Sequence, residues 1–258
     1  MNVVFNAQLW YWRLGHLNIR SLEHMQRHNG NGITFDGTIP DCDVCAIGKI
    51  QRLAHSKKVQ HAGITRSFQL CYGYLMGPFT PEVYGGFKYV RTIADQFTRW
   101  TAVYLLEDKS YALESFHILV TSTVIPCGGR VIRWHTDREG EYTSESFKQY
   151  CLEIGITQEF AATNTPHSID VSERVDRTLC SMVRCLLVDS GLPPNFWGGL
   201  MLTVAYLCNR IPHSGLDMET PFKRLYGKEA TSSHLKIIDA RDFFHIKDAK
   251  KLEPKSWE

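Results

Sequence analysis

Arg130-Val131-Ile132-Arg133-Trp134-His135-Thr136-Asp137 is the stretch on which the fold turns. Its residues alternate. Ile132 and Trp134 fall on one side of an extended chain, and Arg133, His135 and Asp137 fall on the other. A strand inside a mixed sheet is usually apolar on both faces, so a polar face ending in a carboxylate suggests the wall of a groove. An edge strand with one solvated side gives the same pattern, and on this strand alone that is the commoner cause.

Working outward, three strand-like runs precede it, at 68–75, 87–94 and 99–106, with Gly85-Gly86 and Asp95-Gln96 as turn signals. Between them and the quoted strand, Leu113, Phe116, Val120 and Val124 recur at helical spacing, ending near Pro126 to Gly129. Downstream come a helix at 144–154, a short strand at 156–160 and two longer helices at roughly 171–190 and 194–210. Strands first as a meander, then alternating with helices, predict an α/β domain with a mixed sheet. In the 171–190 helix, Val171, Val175, Leu179, Met182 and Leu186 form an apolar stripe. Glu173, Arg177 and Arg184 fall together on the opposite side. A carboxylate beside a basic stripe suits a metal next to a phosphate backbone, although solvated charged faces are common.

The amino-terminal part reads differently. A short helix is expected within 10–30, around Ile19, Leu22 and Met25, followed by turn residues Asn29 to Gly32. Cys42 and Cys45 form the one close cysteine pair. A polar stretch with Lys49, Arg52, Lys57, Lys58 and Arg66 then reads as a linker. Residues 1–67 hold eight Lys/Arg against four Asp/Glu, within a chain of net charge +2. A mildly basic module beside a near-neutral domain suits an accessory nucleic-acid contact.

Composition excludes several classes. A hydrophobic share of 43% and a charged share of 22% in 258 residues fit a globular chain, not a disordered one. No apolar run reaches the ~18 residues of a membrane helix. The start, MNVVFNAQLW, has no basic n-region or long apolar segment, so a cytosolic or nuclear protein is expected rather than a secreted one. Eight Cys are too few for a disulfide scaffold, and six of them sit in apolar contexts as reduced core thiols.

Short motifs in a fixed order then point to a family. They include Leu9-Trp10, Arg13-Leu14-Gly15-His16-Leu17-Asn18, Cys42-x-x-Cys45-x-x-Gly48-Lys49 and Gly77-Pro78. Gly85-Gly86-Phe87-Lys88-Tyr89, Asp95-Gln96-Phe97-Thr98-Arg99-Trp100, Thr136-Asp137 and Gly140-Glu141-Tyr142 follow. Glu173-Arg174, Arg177-Thr178-Leu179, Leu192-Pro193, Phe196-Trp197 and Asn209-Arg210 complete the series. Together they resemble the integrase of copia-type LTR retrotransposons, over nearly the whole chain. Thirty-five residues separate Asp137 from Glu173, the interval such integrases keep between their second and third catalytic carboxylates.

The resemblance implies a pre-integrase zinc-knuckle-like module and linker at 1–66. An RNase H-like core with a five-stranded mixed sheet would follow at 67–212, and a poorly specified polyprotein extension at 213–258. It implies Mg²⁺-dependent strand transfer, with Asp137 and Glu173 as metal-binding catalytic residues, and a Zn²⁺ site at His16, Cys42 and Cys45. It also implies DNA as partner through Lys49, Arg52, Lys57, Lys58, Arg174, Arg177 and Arg184. Assembly as a homo-oligomer, action in the nucleus and a longer reading frame around this fragment are further expectations.

The chain departs from the family at chemical positions. Tyr74 stands where the first catalytic Asp belongs, and a phenol with a pKa of about 10 is a poor Mg²⁺ ligand. Asp95 is a nearby carboxylate that could substitute, but the resemblance already assigns it to another motif. Arg138-Glu139 and His167-Ser168-Ile169-Asp170 replace family loops, and Asp176 replaces an Asn, adding negative charge where DNA is expected to lie. Tyr11 replaces the first zinc-binding His, leaving His24 or His28 to supply a fourth ligand. Impaired catalysis follows, with two alternatives: a non-catalytic nucleic-acid-binding or interaction module on the same fold, or a decayed relic.

Overall fold

Where residue spacing suggests one amino-terminal helix, the chain forms two. The computed structural model describes residues 5–27, 32–39, 42–49, 63–137, 140–160, 170–238, 244–245 and 256–257. Strand β1 (Phe5–Asn6) leads into α1 (Ala7–Arg13), and α2 (Ile19–Arg27) follows. Between the helices Gly15 (φ 64°) and His16 (φ 61°) both take the left-handed conformation. Glycine accepts that conformation freely. A Cβ at Gly15 would also stand 2.9 Å from Met182 Cε. The turn that results brings His16 back beside Tyr11, whose carbonyl accepts the His16 N–H at 2.8 Å. Strand β2 (Phe35–Asp36) pairs with β1 in parallel, and α3 (Asp43–Lys49) completes this part.

The core begins with an antiparallel meander of β3 (Leu70–Met76), β4 (Tyr89–Asp95) and β5 (Thr101–Leu106). Helix α4 (Ala112–Leu119) runs on as a π-helical turn through Val124. Strand β6 (Arg133–Thr136), α5 (Gly140–Thr143), α6 (Glu145–Ile154) and β7 (Thr157–Phe160) come next. Ser144 caps α6 at its start, accepting the Phe147 N–H, and left-handed Gly155 ends it. The long α7 (Asp170–Ser190) and α8 (Trp197–Cys208) close the core, followed by α9 (Pro221–Tyr226). Two short strands, β8 (Phe244–His245) and β9 (Ser256–Trp257), pair antiparallel.

The sheet order is β5-β4-β3-β6-β7, with β6 and β7 parallel to β3. This is the mixed five-stranded α/β architecture expected from the sequence. Strand β6 is interior, so its polar side is no solvated edge. Arg133 instead reaches Glu159 on β7 with two bonds of 2.5 and 3.0 Å, and His135 stacks edge-on against Tyr72 of β3.

Each face of the sheet has its own apolar cluster. On one, Trp134 packs with Phe116, Tyr142 and Phe147, and with Cys71 and Ile93. Trp134 lies so close over β3 that a Cβ on Gly73 would sit 1.9 Å from its ring. On the other face, α7 and α8 contribute Leu179, Met182, Leu186, Leu200 and Val204. The same cluster contains Trp10, Leu14, Leu22 and Met25 of the amino-terminal part. The two parts therefore share one core.

Residues 213–238, read from sequence as unspecified, are held in place up to this point. Thr220 caps α9, the Phe222 N–H donates to the Asn209 carbonyl at 2.8 Å, and Trp100 meets Phe222 and Tyr226. Among the described residues no helix is long and apolar enough to cross a membrane.

Candidate active site and metal centre

Strand alternation puts Tyr72, Tyr74 and Met76 of β3 on the face covered by α7. Leu70, Cys71 and Tyr72 pair with Arg133, Trp134 and His135. Continued by two residues, that register would bring Tyr74 opposite Asp137, the residue that follows the end of β6. Tyr74 and Asp137 are half-buried. Asp137 lies within electrostatic range of Tyr142, whose phenol is pushed up chiefly by burial and further by Asp137 and Glu141.

Helix α7 packs against β3 and β4. Near its start, Arg174 adds to the lowering of the Arg99 guanidinium, which burial holds below its ordinary value, and Arg99 in turn faces Tyr72. Two turns on, the Cys180 thiol meets Met76 Sδ at 3.9 Å. Glu173 sits in the first turn of α7, and its side chain lies outside the described residues. Arg174, Arg177 and Arg184 are exposed, as a phosphate-facing stripe requires. Arg52, Lys57 and Lys58 lie outside the described residues, as does the Lys49 side chain on α3. So do Arg138-Glu139 and the stretch from His167 to Ile169.

One sequence expectation is corrected here, and one discounted alternative is excluded. Asp176 does not oppose phosphates on an open face: it is only 6% exposed. It lies on the sheet-facing side of α7, between the Arg174 and Cys180 positions, and its charge raises the Cys180 thiol after burial has already done so. Asp95 cannot substitute for the missing carboxylate. Its Oδ1 accepts the Phe68 N–H at 2.9 Å, and its Oδ2 accepts the Thr98 N–H and hydroxyl at 2.9 and 2.6 Å. Burial raises its pKa while those bonds lower it, and the carboxylate serves as the clamp of the β4–β5 turn.

The donor set at Tyr74 does not fit a pair of Mg²⁺ ions. Mg²⁺ takes hard oxygen ligands, and where the resemblance expects a carboxylate shared by both ions the chain has a phenol.

The amino-terminal cluster is better formed. His16, Cys42 and Cys45 bring their ligand atoms within 4.8 Å of one another. His16 Nδ1 is 3.5 Å from Cys42 Sγ. Its Nε2 lies 3.2 Å from Asp189 Oδ2, at the carboxyl end of α7. Tyr11, on α1, packs edge-on to His16 and places its hydroxyl 2.8 Å from Cys45 Sγ. Burial, then the neighbouring thiols, hold the Tyr11 phenol far above its ordinary value. Burial works against ionising Cys42, yet hydrogen bonds from Tyr11 and from the Cys45 and Val44 backbone leave that thiol below its ordinary value. One imidazole and two thiols at such separations suit Zn²⁺. His24 is not part of the cluster and lines a separate cavity with Met25, Asp217 and Glu219; His28 lies outside the described residues. Asp189 and Arg99 carried no signal in residue spacing, because only the folded chain sets them against His16 and Tyr72.

Comparisons with known proteins bear on the family and the fold. The family described as integrase core domain matches residues 72–166. The retrovirus-related Pol polyprotein from transposon TNT 1-94 of Nicotiana tabacum is 33% identical over 256 residues, 97% of this chain and 19% of that polyprotein. The corresponding polyprotein from transposon RE2 of Arabidopsis thaliana is 26% identical over 251 residues, 96% of this chain and 17% of its own length. The chain thus spans less than a fifth of the curated relatives it matches. A chain of the simian T-cell lymphotropic virus intasome, solved in complex with the PP2A regulatory subunit B56 gamma, has a TM-score of 0.52. It shares 16% identity and covers 74% of this chain and 66% of its own, so it speaks to the fold alone. The chain thus carries a retrotransposon-type integrase core on a mixed five-stranded sheet flanked by helices, and over nearly its whole length it is similar to a stretch of these Pol polyproteins.

Proposed function

We propose that this chain serves as a DNA-handling integrase module of such a polyprotein, with strand transfer impaired in this copy. The observation that supports the reading is Tyr74, a phenol two residues along β3 from Tyr72, whose partner His135 likewise stands two residues before Asp137. Arg174, Arg177 and Arg184, exposed along α7, support contact with a phosphate backbone. A fold built for duplex ends, self-association as a homo-oligomer and a nuclear site of action belong to the same reading. The amino-terminal cluster is a Zn²⁺ site that stiffens the join between α1, α3 and α7, supported by the convergence of His16, Cys42 and Cys45.

Duplex ends incubated with the purified protein and Mg²⁺ or Mn²⁺ test this. The expected outcome is DNA binding that weakens steeply with salt and yields no strand-transfer product. Product that disappears in Asp137→Ala would overturn the impairment. Absence of binding at low salt would favour a relic.

A further inference from the structure

Two thiols and an imidazole leave one corner of a zinc tetrahedron open. We propose that Tyr11 Oη fills that corner as the fourth ligand, and that Asp189 is the residue that orients His16 toward the metal. This rests on the reading of the cluster as a zinc site.

Tyr11 and His16 are 6% and 1% exposed, so neither ring has been turned in by chance contact with solvent. The Tyr11 carbonyl holds the His16 N–H, and the two rings meet at 4.9 Å between centroids. The hydroxyl is 2.8 Å from Cys45 Sγ, on the inside of the cluster. In a tetrahedron with Zn–S of about 2.3 Å and Zn–O of about 2.1 Å, an S–O edge is about 3.6 Å. The oxygen therefore needs to move less than an ångström to exchange a hydrogen bond for a bond to metal. As it does so, the phenol proton passes to solvent base, and the two thiol protons leave in the same way. The resulting ligand set is two thiolates, one phenolate and one neutral imidazole.

Asp189 supplies the other half. With its carboxylate 3.2 Å from Nε2, Asp189 favours the tautomer that carries the proton on that nitrogen. The Nδ1 lone pair then points at the thiols. Because Asp189 belongs to α7, the metal is tied to the same helix that carries Glu173 at its other end.

Titration of the full chain with Co²⁺ tests the proposal. Wild type is expected to bind one equivalent with the intense visible bands of a tetrahedral site and the ultraviolet difference signal of a metal-bound tyrosinate. Tyr11→Phe keeps the ring packing and should lose that signal and weaken binding about 10–100-fold, and Asp189→Ala should weaken it by a similar factor with the signal intact. Tyr11→His should restore tetrahedral binding at wild-type strength or better. Wild-type affinity in Tyr11→Phe would overturn the fourth-ligand assignment while leaving the zinc reading standing. Wild-type affinity in Asp189→Ala would overturn the orienting role. Failure of wild type and Tyr11→His alike to bind metal would overturn the zinc reading itself.

Discussion

Two places in this chain have a tyrosine where the family resemblance expects a metal ligand, and the two substitutions differ in consequence. At the amino-terminal cluster, Tyr11 replaces an imidazole among soft donors. Its hydroxyl can donate to a thiol when metal is absent and offer oxygen when metal is present, so the phenol remains compatible with zinc chemistry. At the sheet, Tyr74 replaces a carboxylate that would serve two hard cations together. A neutral phenol offers neither the charge nor the second oxygen. On this reading a tyrosine in place of an imidazole is tolerated beside cysteines, and one in place of a carboxylate is disabling beside Asp137. What decides is the charge the departing ligand carried, rather than the size of the residue that arrived.

That contrast can be broken at its stronger end first. Cys42→Ser should weaken zinc binding about 100-fold or more, since four ligands share a binding free energy on the order of 10–16 kcal/mol. Competition with a chromophoric chelator measures it, and an unchanged affinity would end the comparison. Next comes the carboxylate that is not a ligand. Asp95→Ala strands the buried N–H groups of Phe68 and Thr98 and should cost about 3 kcal/mol in denaturant unfolding. If metal binding changes and stability does not, Asp95 has been misassigned.

Tyr74→Asp tests the disabled site directly. Calorimetric Mg²⁺ titration should show affinity rising by about tenfold or more, the scale that changes around a metal commonly produce. No gain would mean that the site is lost in more than one ligand. Activity is a separate matter, because Asp176, an acidic residue buried on the sheet-facing side of α7, is untouched by the change at 74.

The smallest expected effect is a control on pH. Burial and then the Arg99 charge hold the His213 imidazole down to about 4, and the Gly215 N–H already donates to its Nδ1 at 3.0 Å. The unfolded chain binds the extra proton more readily, so stability present above pH 6.5 is lost as pH falls from about 6.5 towards 4. With part of the residue in solvent, the loss should stay below ~1 kcal/mol. His213→Gln should flatten it. Acid loss of zinc is best measured in that background.

Much of this architecture was legible before any coordinates. Turn residues bounded β3, β4 and β5, and helical spacing bounded α6, α7 and α8 to within a few residues. Helix α1 and its five-residue connection to α2 were not legible, because apolar residues continue through Leu14 and Leu17 and the left-handed φ of His16 leaves no mark in its residue type. Asp176 was misplaced by chemistry overruling phase. It lies three residues before Leu179 and four before Cys180, which puts it on the sheet-facing stripe whatever its charge. Asp137 was found through its interval to Glu173. Asp95 hid its role, since a turn clamp and a metal ligand are the same residue type until their neighbours are known.

The shared cluster beneath α7 and α8 bears on how this domain can be cut and expressed. The stretch matched to the integrase core, 72–166, ends before α7 begins, and even a fragment extended through α8 but started after the linker would leave Leu179, Met182, Leu186 and Met201 without the cover of Trp10, Leu14 and Leu22. An apolar face of that breadth drives self-association once exposed. A truncated core would then be insoluble for reasons of packing, and its silence in any assay would say nothing about Tyr74. The unit of homology and the unit of solubility are different lengths of the same chain.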